Sequence, residues 1–199
     1  MCATATAILV WNAIPVFADI DPETFNLDPH SIEKKITPRT KAIFVSDIFG
    51  QSADMERINQ IASKHGLKVL EDCAQAPGAK YKSRFAGTNS DVGVFSLNYH
   101  KLIHTGEGGI CVTNDATIAE KMQLIRNHAE AVVKDKPGHR DFTNMIGFNF
   151  RLGEIESAIG IEQLKKLKKL ATSRTEAAAK LTEGLRDLPG LKTPKIQAD

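Results

Sequence analysis

Tryptophan occurs once in these 199 residues, tyrosine twice and cysteine three times, and the charges nearly cancel. Each scarcity excludes something. Cys2, Cys73 and Cys111 are odd in number and lack metal-ligand spacing, which argues against a disulfide framework and a structural zinc site, so no metal is expected. Lys plus Arg number 26 against 24 Asp plus Glu, a formal charge of +2. So small a bias gives no reason to expect nucleic acid or an anionic membrane as partner. No apolar run reaches the roughly 18 residues of a membrane span, and no secretory leader is visible. What remains is 42% hydrophobic and 25% charged residues. That fits a soluble globular protein, expected to be cytoplasmic, with about one large domain at roughly 150 residues per domain.

Along the chain the pattern alternates. Residues 4–11 read as the tail of a helix and residues 15–19 (PVFAD) as a short buried strand. Asp28 followed by Pro29 is an N-cap with proline at the first helical position, opening a short helix with Ile32 and Ile36 on one face. Residues 41–46 make a second strand. A helix is expected over 53–65, its face formed by Met55, Ile58, Ile61 and Ala62 and its end set by Gly66. Residues 67–70 then make a third strand, so the spacing predicts right-handed crossovers and a mainly parallel sheet. Hairpin-like pieces follow at 79–81, 91–97 and 109–113. Asn114 and Asp115 cap a helix to about His128, with Ile118, Met122 and Ile125 inward. Residues 130–140 read as a mobile polar loop, and 152–188 as one long helical pattern. Lys165, Lys166, Lys168 and Lys169 alternate with leucines there, the mark of a solvated helix face rather than a phosphate site. The expected fold class is α/β, a three-layer αβα arrangement.

The middle third is dense in functional groups. Ligands of open α/β sheets lie beyond the carboxyl ends of the strands, and Asp72 follows the apolar strand LKVL at such an end. Two readings stand: a cap for the turn Cys73-Ala74-Gln75, or a carboxylate paired with a cation. Ser96 closes the next strand, and Lys101 follows it by five residues, just ahead of the glycine turn of Gly106, Gly108 and Gly109. That turn matches neither a dinucleotide fingerprint nor a phosphate loop. An amine to form a Schiff base, an anion for a pyridine nitrogen and hydroxyl donors for a phosphate are together what pyridoxal phosphate requires.

The stretches PVFADIDPETFNLDP, HGLKVLEDCAQAPGAKY, SDVGVFSLNYHK, TGEGGICVTND and GFNFRLGEIESAIGIEQL resemble, in that order, the sugar aminotransferase family named after DegT, DnrJ, EryC1 and StrS. The resemblance covers roughly residues 3–190. It implies the large domain of the type I fold of pyridoxal-phosphate-dependent transferases, spanning residues 1–188 with the connecting helix at 152–188. Residues 189–199 would begin a small C-terminal domain. It further implies transfer of an amino group from an amino acid, usually glutamate, to a nucleotide-linked keto-deoxysugar by a homodimer. Carried over position by position, Lys101 would form the Schiff base and move the proton, and Asp72 would pair with the pyridine nitrogen. Gln75 would lie near the ring hydroxyl and Ser96 would bind the phosphate. Asn149 would reach the cofactor of the neighbouring subunit, with Arg151 a competing candidate.

Other residues have plainer readings beside functional ones. His100 reads as a wall residue, although relatives that dehydrate sugars carry His in place of the lysine. Cys73 reads as packing and Trp11 as core or interface. Asp47 stands where many relatives have His and serves either loop structure or sugar contact; Glu107 either contacts substrate or holds its glycine turn. The family pattern also contains a glycine/threonine phosphate turn and a ring-stacking aromatic, which would fall at or before Met1. Both ends of the chain therefore look cut, and a non-catalytic homologue acting through association is the competing expectation. A cysteine desulfurase, which shares a His-Lys pair, fits the serine-to-lysine spacing less well.

Overall fold

The computed structural model describes residues 1–129 and 145–197. The loop expected at 130–140 lies outside them. Helix α1 (Cys2–Leu9) opens the chain. The segment expected as a strand at 15–19 is irregular instead, with Val16 67% and Phe17 74% exposed. A strand needs a ladder partner, and here the backbone bonds elsewhere: the Asp19 amide donates to Ser31 Oγ and its carbonyl accepts from the Asp28 amide.

Helix α2 (Pro29–Glu33) starts as expected, with the Asp28 side chain accepting from the His30 amide. Strand β1 (Ala42–Ser46) leads to α3 (Met55–His65), which Asp54 caps and left-handed Gly66 ends. Strand β2 (Lys68–Asp72) follows, then a small hairpin of β3 (Lys80–Tyr81) and β4 (Arg84–Phe85). Next come β5 (Val92–Ser96), β6 (Gly109–Val112) and α4 (Ala116–Arg126). The main sheet has the order β1-β2-β5-β6. Its first two pairings are parallel, and β6 runs antiparallel to β5. One face is covered by α3, whose Met55, Ile58, Ile61 and Ala62 join Ile32, Ile43, Val45 and Val69 in one buried cluster. Full burial of each large side chain contributes about 1.5–3 kcal/mol, so this face stabilises the β1–α3–β2 unit.

The long pattern at 152–188 resolves into α5 (Glu154–Leu164) and α6 (Leu167–Leu185), broken at Lys165 and Lys166. Ile155 and Ile159 are four apart, whereas Leu164, Leu167 and Leu170 recur every three residues. A three-residue repeat falls short of the 3.6-residue turn, so the apolar stripe rotates away at the break. The four lysines are exposed, as a solvated face requires. No described helix is long and apolar enough to cross a membrane.

Gly93 illustrates how tightly β5 is seated. A Cβ there would lie 2.1 Å from the Gly87 carbonyl oxygen and 2.5 Å from Gly87 Cα. Backbone cannot yield as a side chain does, so Gly93→Ala is expected to destabilise the fold by about 1–3 kcal/mol or more, read as a lower urea midpoint.

Candidate active site

The three parallel strands end together. Ser46 of β1 pairs with Asp72 of β2, and Asp72 pairs with Val94, two residues before Ser96 of β5. Parallel pairing in this register thus collects a hydroxyl, a carboxylate and a second hydroxyl at one sheet edge. Thr4 of α1 lies over this edge. Its hydroxyl donates to Asp72 Oδ2 at 2.6 Å. Having given its only proton, it accepts from Ser46 Oγ at 2.9 Å. Asp72 Oδ1 takes the Ala74 amide at 3.1 Å. Asp72 therefore caps the turn, and its half-buried carboxylate is in no ion pair among the described residues.

Lys101 is placed by a turn. Its amide donates to the Asn98 carbonyl at 2.9 Å, and the Asn98 side chain accepts from the His100 amide at 3.1 Å. Asparagine favours this because its side chain reaches the backbone two residues on. Asn98 Nδ2 also donates to Glu107 Oε1 at 2.6 Å, tying the lysine turn to the glycine turn. The Leu97 amide bonds the Gly108 carbonyl, and the Thr105 amide bonds the Leu97 carbonyl, closing the base of the loop. Lys101 itself is half-buried and, among the described residues, paired with no carboxylate. Glu107 thus holds its turn. Ser96 Oγ is used weakly, accepting the Asn98 amide at 3.3 Å.

Gln75 adjoins the same edge: its Oε1 accepts from the Phe49 amide at 2.8 Å and its Nε2 lies 3.8 Å from Met1 Sδ. Asn149 is not joined to this group. It is exposed and forms an isolated antiparallel bridge with Asn127, whose side chain also accepts from Arg151 Nη1 at 2.6 Å. His100 is exposed, its ring 3.8 Å from that of Tyr99. Trp11 meets Phe148 edge to face, and Phe148 stacks on Phe150.

Behind the open edge lies a buried cluster. Asp47, Glu71 and Cys73 are each at most 1% exposed. Asp47 Oδ1 accepts from the Ala53 amide at 3.0 Å, and Oδ2 accepts from the Cys73 thiol at 3.4 Å. Burial, and then the charge of Glu71, push the Asp47 carboxyl up to about 8. Burial likewise raises the Cys73 thiol, so it stays protonated and is no nucleophile. Asp47 is therefore interior and holds the loop that leads into α3.

Sequence reasoning missed Thr4, Ser46 and Glu71. Nothing local marks Thr4. Glu71 did leave a signal: it shares the inward phase of Val69 and Cys73, as Asp47 shares that of Ile43 and Val45.

The model of the DegT/DnrJ/EryC1/StrS aminotransferase family matches residues 1–199. A GDP-perosamine synthase of Caulobacter vibrioides is 42% identical over 165 residues, 83% of this chain and 43% of that protein. The structure of Helicobacter pylori PseC, an aminotransferase in pseudaminic acid biosynthesis, superposes with a TM-score of 0.85 at 39% identity, covering 95% of this chain and 50% of that one. An E. coli GDP-4-keto-6-deoxy-D-mannose-3-dehydratase with bound hydrated PLP superposes with a TM-score of 0.82 at 32% identity, over 92% and 50%. The chain spans about half the length of the relatives it matches. With the family model matching its whole length and the fold of that family's solved members, the chain belongs to the DegT/DnrJ/EryC1/StrS aminotransferase family.

Proposed function

We propose that the protein is a pyridoxal-phosphate-dependent aminotransferase of sugar biosynthesis, moving the amino group of glutamate to the keto carbon of a nucleotide-linked deoxysugar in the cytoplasm. The observation that carries this reading is the shared edge of β1, β2 and β5, where Ser46, Asp72 and Ser96 end together and Lys101 follows in an ordered turn. The residues fit the cofactor. Asp72 has lone pairs left after its two bonds, enough to accept a pyridinium N–H. Lys101 keeps an uncommitted amine within a pinned backbone, which condensation with an aldehyde needs.

When bound, pyridoxal phosphate supplies an electron sink for the amino carbon. Asp72, held on one oxygen by Thr4 and on the other by the Ala74 amide, keeps its negative charge aimed by two strands and a helix. Such fixed charge costs no reorganisation when the electrons move. Lys101 Nζ would take up and return the proton at the donor carbon, and the turn at Asn98 limits how far it can stray. Ser96 offers its hydroxyl proton to the phosphate. Asn149, exposed beside Asn127, is assigned to a homodimer partner's cofactor.

The test is incubation of the protein with pyridoxal phosphate, borohydride reduction and peptide mass analysis. The adduct is expected on Lys101; an unmodified Lys101 would end the reading. Glutamate and a nucleotide-linked keto-deoxysugar are then expected to yield 2-oxoglutarate and an aminosugar, whereas loss of a sugar hydroxyl without amination would make the protein a dehydratase. Thr4→Val is expected to weaken cofactor affinity by roughly five- to tenfold, about one hydrogen bond's worth, measured by absorbance titration.

A further inference from the structure

Glu71 poses a physical problem that the cofactor edge does not answer. Its side chain is fully buried, the one Ser90 hydroxyl proton lies between Oε2 at 3.2 Å and the Val92 carbonyl at 2.9 Å, and Oε1 is buried with no hydrogen-bond partner. One ligating atom each of Asp47, Glu71 and Cys73 lies within 4.8 Å of the others. The described ion pairs all involve other residues, so neither carboxyl is neutralised by a cation. Two carboxylates this close in a dry interior cannot both stay ionised. One proton between them removes a charge and supplies a donor for the orphaned oxygen.

The backbones of the same residues flank Asp72. The Asp47 amide donates to the Asp72 carbonyl at 3.0 Å, and the Cys73 amide donates to the Val94 carbonyl at 2.8 Å. Asp72 therefore sits between Glu71 and Cys73 in sequence and against Asp47 across the strands, its own carboxylate on the opposite face. We propose that Asp47 and Glu71 share a single proton in the interior, and that this carboxyl pair is a positioning device for Asp72. The positioning part rests on the cofactor reading above; the shared proton does not.

The groups that face Asp47 are the Glu71 carboxyl on β2, the Cys73 thiol just beyond it and the Ala53 amide before α3; Asp72 adds a further negative charge nearby. The sign of the pH dependence follows. The folded chain holds the Asp47 proton up to about 8, whereas the unfolded chain releases it near 3.8. Between those values the folded state binds more protons, so stability falls as pH rises through that window. Above it Asp47 loses its proton and no longer holds Asp72 in place.

The experiment uses the protein with and without pyridoxal phosphate, as wild type and as Asp47→Asn, whose amide mimics the protonated acid. Infrared difference spectroscopy at neutral pH is expected to show the carbonyl stretch of a buried carboxylic acid in the wild type and not in the variant. Cofactor affinity is expected to weaken about tenfold in the wild type as pH rises from 6 to 9, and to change less than about twofold in the variant. The wild-type spectrum stands even if the variant folds poorly. Absence of the acid band at neutral pH overturns the shared proton, and equal pH profiles of two folded proteins overturn the positioning role. Stoichiometric zinc, with a band that appears only after chelation, would make the cluster a metal site and overturn the proposal. A band present while Lys101 takes up no cofactor at any pH supports the pair and defeats the cofactor reading alone.

Discussion

Replacement of Lys101 by alanine is expected to abolish borohydride-trapped cofactor and to lower turnover by about 10³-fold or more, the scale on which a positioned proton-transfer group acts. The residue is half-buried, at the end of a turn whose backbone and Asn98 side chain are both bonded. Deleting the amine leaves that scaffold intact, because no described hydrogen bond of the loop uses Lys101 Nζ. Circular dichroism and thermal unfolding of Lys101→Ala should therefore match the wild type while activity disappears. Lys101→Arg should be nearly as inactive: a guanidinium keeps the charge but does not give up its proton at working pH. Retention of more than a tenth of wild-type turnover by either variant would remove Lys101 from the chemistry.

Asp72→Asn is expected to reduce turnover by about 10²–10³-fold, as loss of a fixed electrostatic stabiliser does. Shape is preserved and one oxygen remains, so the Ala74 amide keeps its acceptor while the new Nδ2 can donate to the Thr4 hydroxyl, which turns its own proton to Ser46 Oγ. The charge goes, and with it the reason for a ring nitrogen to stay protonated. The cofactor absorbance should change its pH dependence, a readout that a packing defect would not move. The contrast with Ser96→Ala is instructive. Ser96 holds only a 3.3 Å bond to the Asn98 amide, and its loss should cost about 1 kcal/mol of cofactor binding. If Asp72→Asn behaved no worse than Ser96→Ala, the carboxylate would be a turn cap and nothing more.

The elements that local chemistry decides were legible in the chain. Asp28 and Pro29 start α2, Asp115 starts α4, and Gly66 ends α3, because capping and left-handed geometry involve only a few neighbouring residues. The inward face of α3 follows from its period and was read correctly. Residues 15–19 show where that reasoning stops. Their apolar composition suits a strand, but strand formation depends on a partner, and the backbone of Asp19 was taken by Ser31 and Asp28. The helical stretch at 152–188 likewise hid its break, since leucines three apart still look periodic until a turn of 3.6 residues is imposed.

Sequence by itself determined that a carboxylate ends one strand, a hydroxyl ends another and a lysine follows just ahead of a glycine-rich turn, because strand ends and turns are written in adjacent residues. Tertiary structure alone decided that Thr4, 68 residues away, holds Asp72, and that Asp47 and Glu71 meet inside. Side-chain parity puts each acid on the inward face, yet only the parallel register of Ser46 with Asp72 brings the two faces together. Register is a non-local choice, made by the burial of Ile43, Val45 and Val69 under α3 rather than by any short motif.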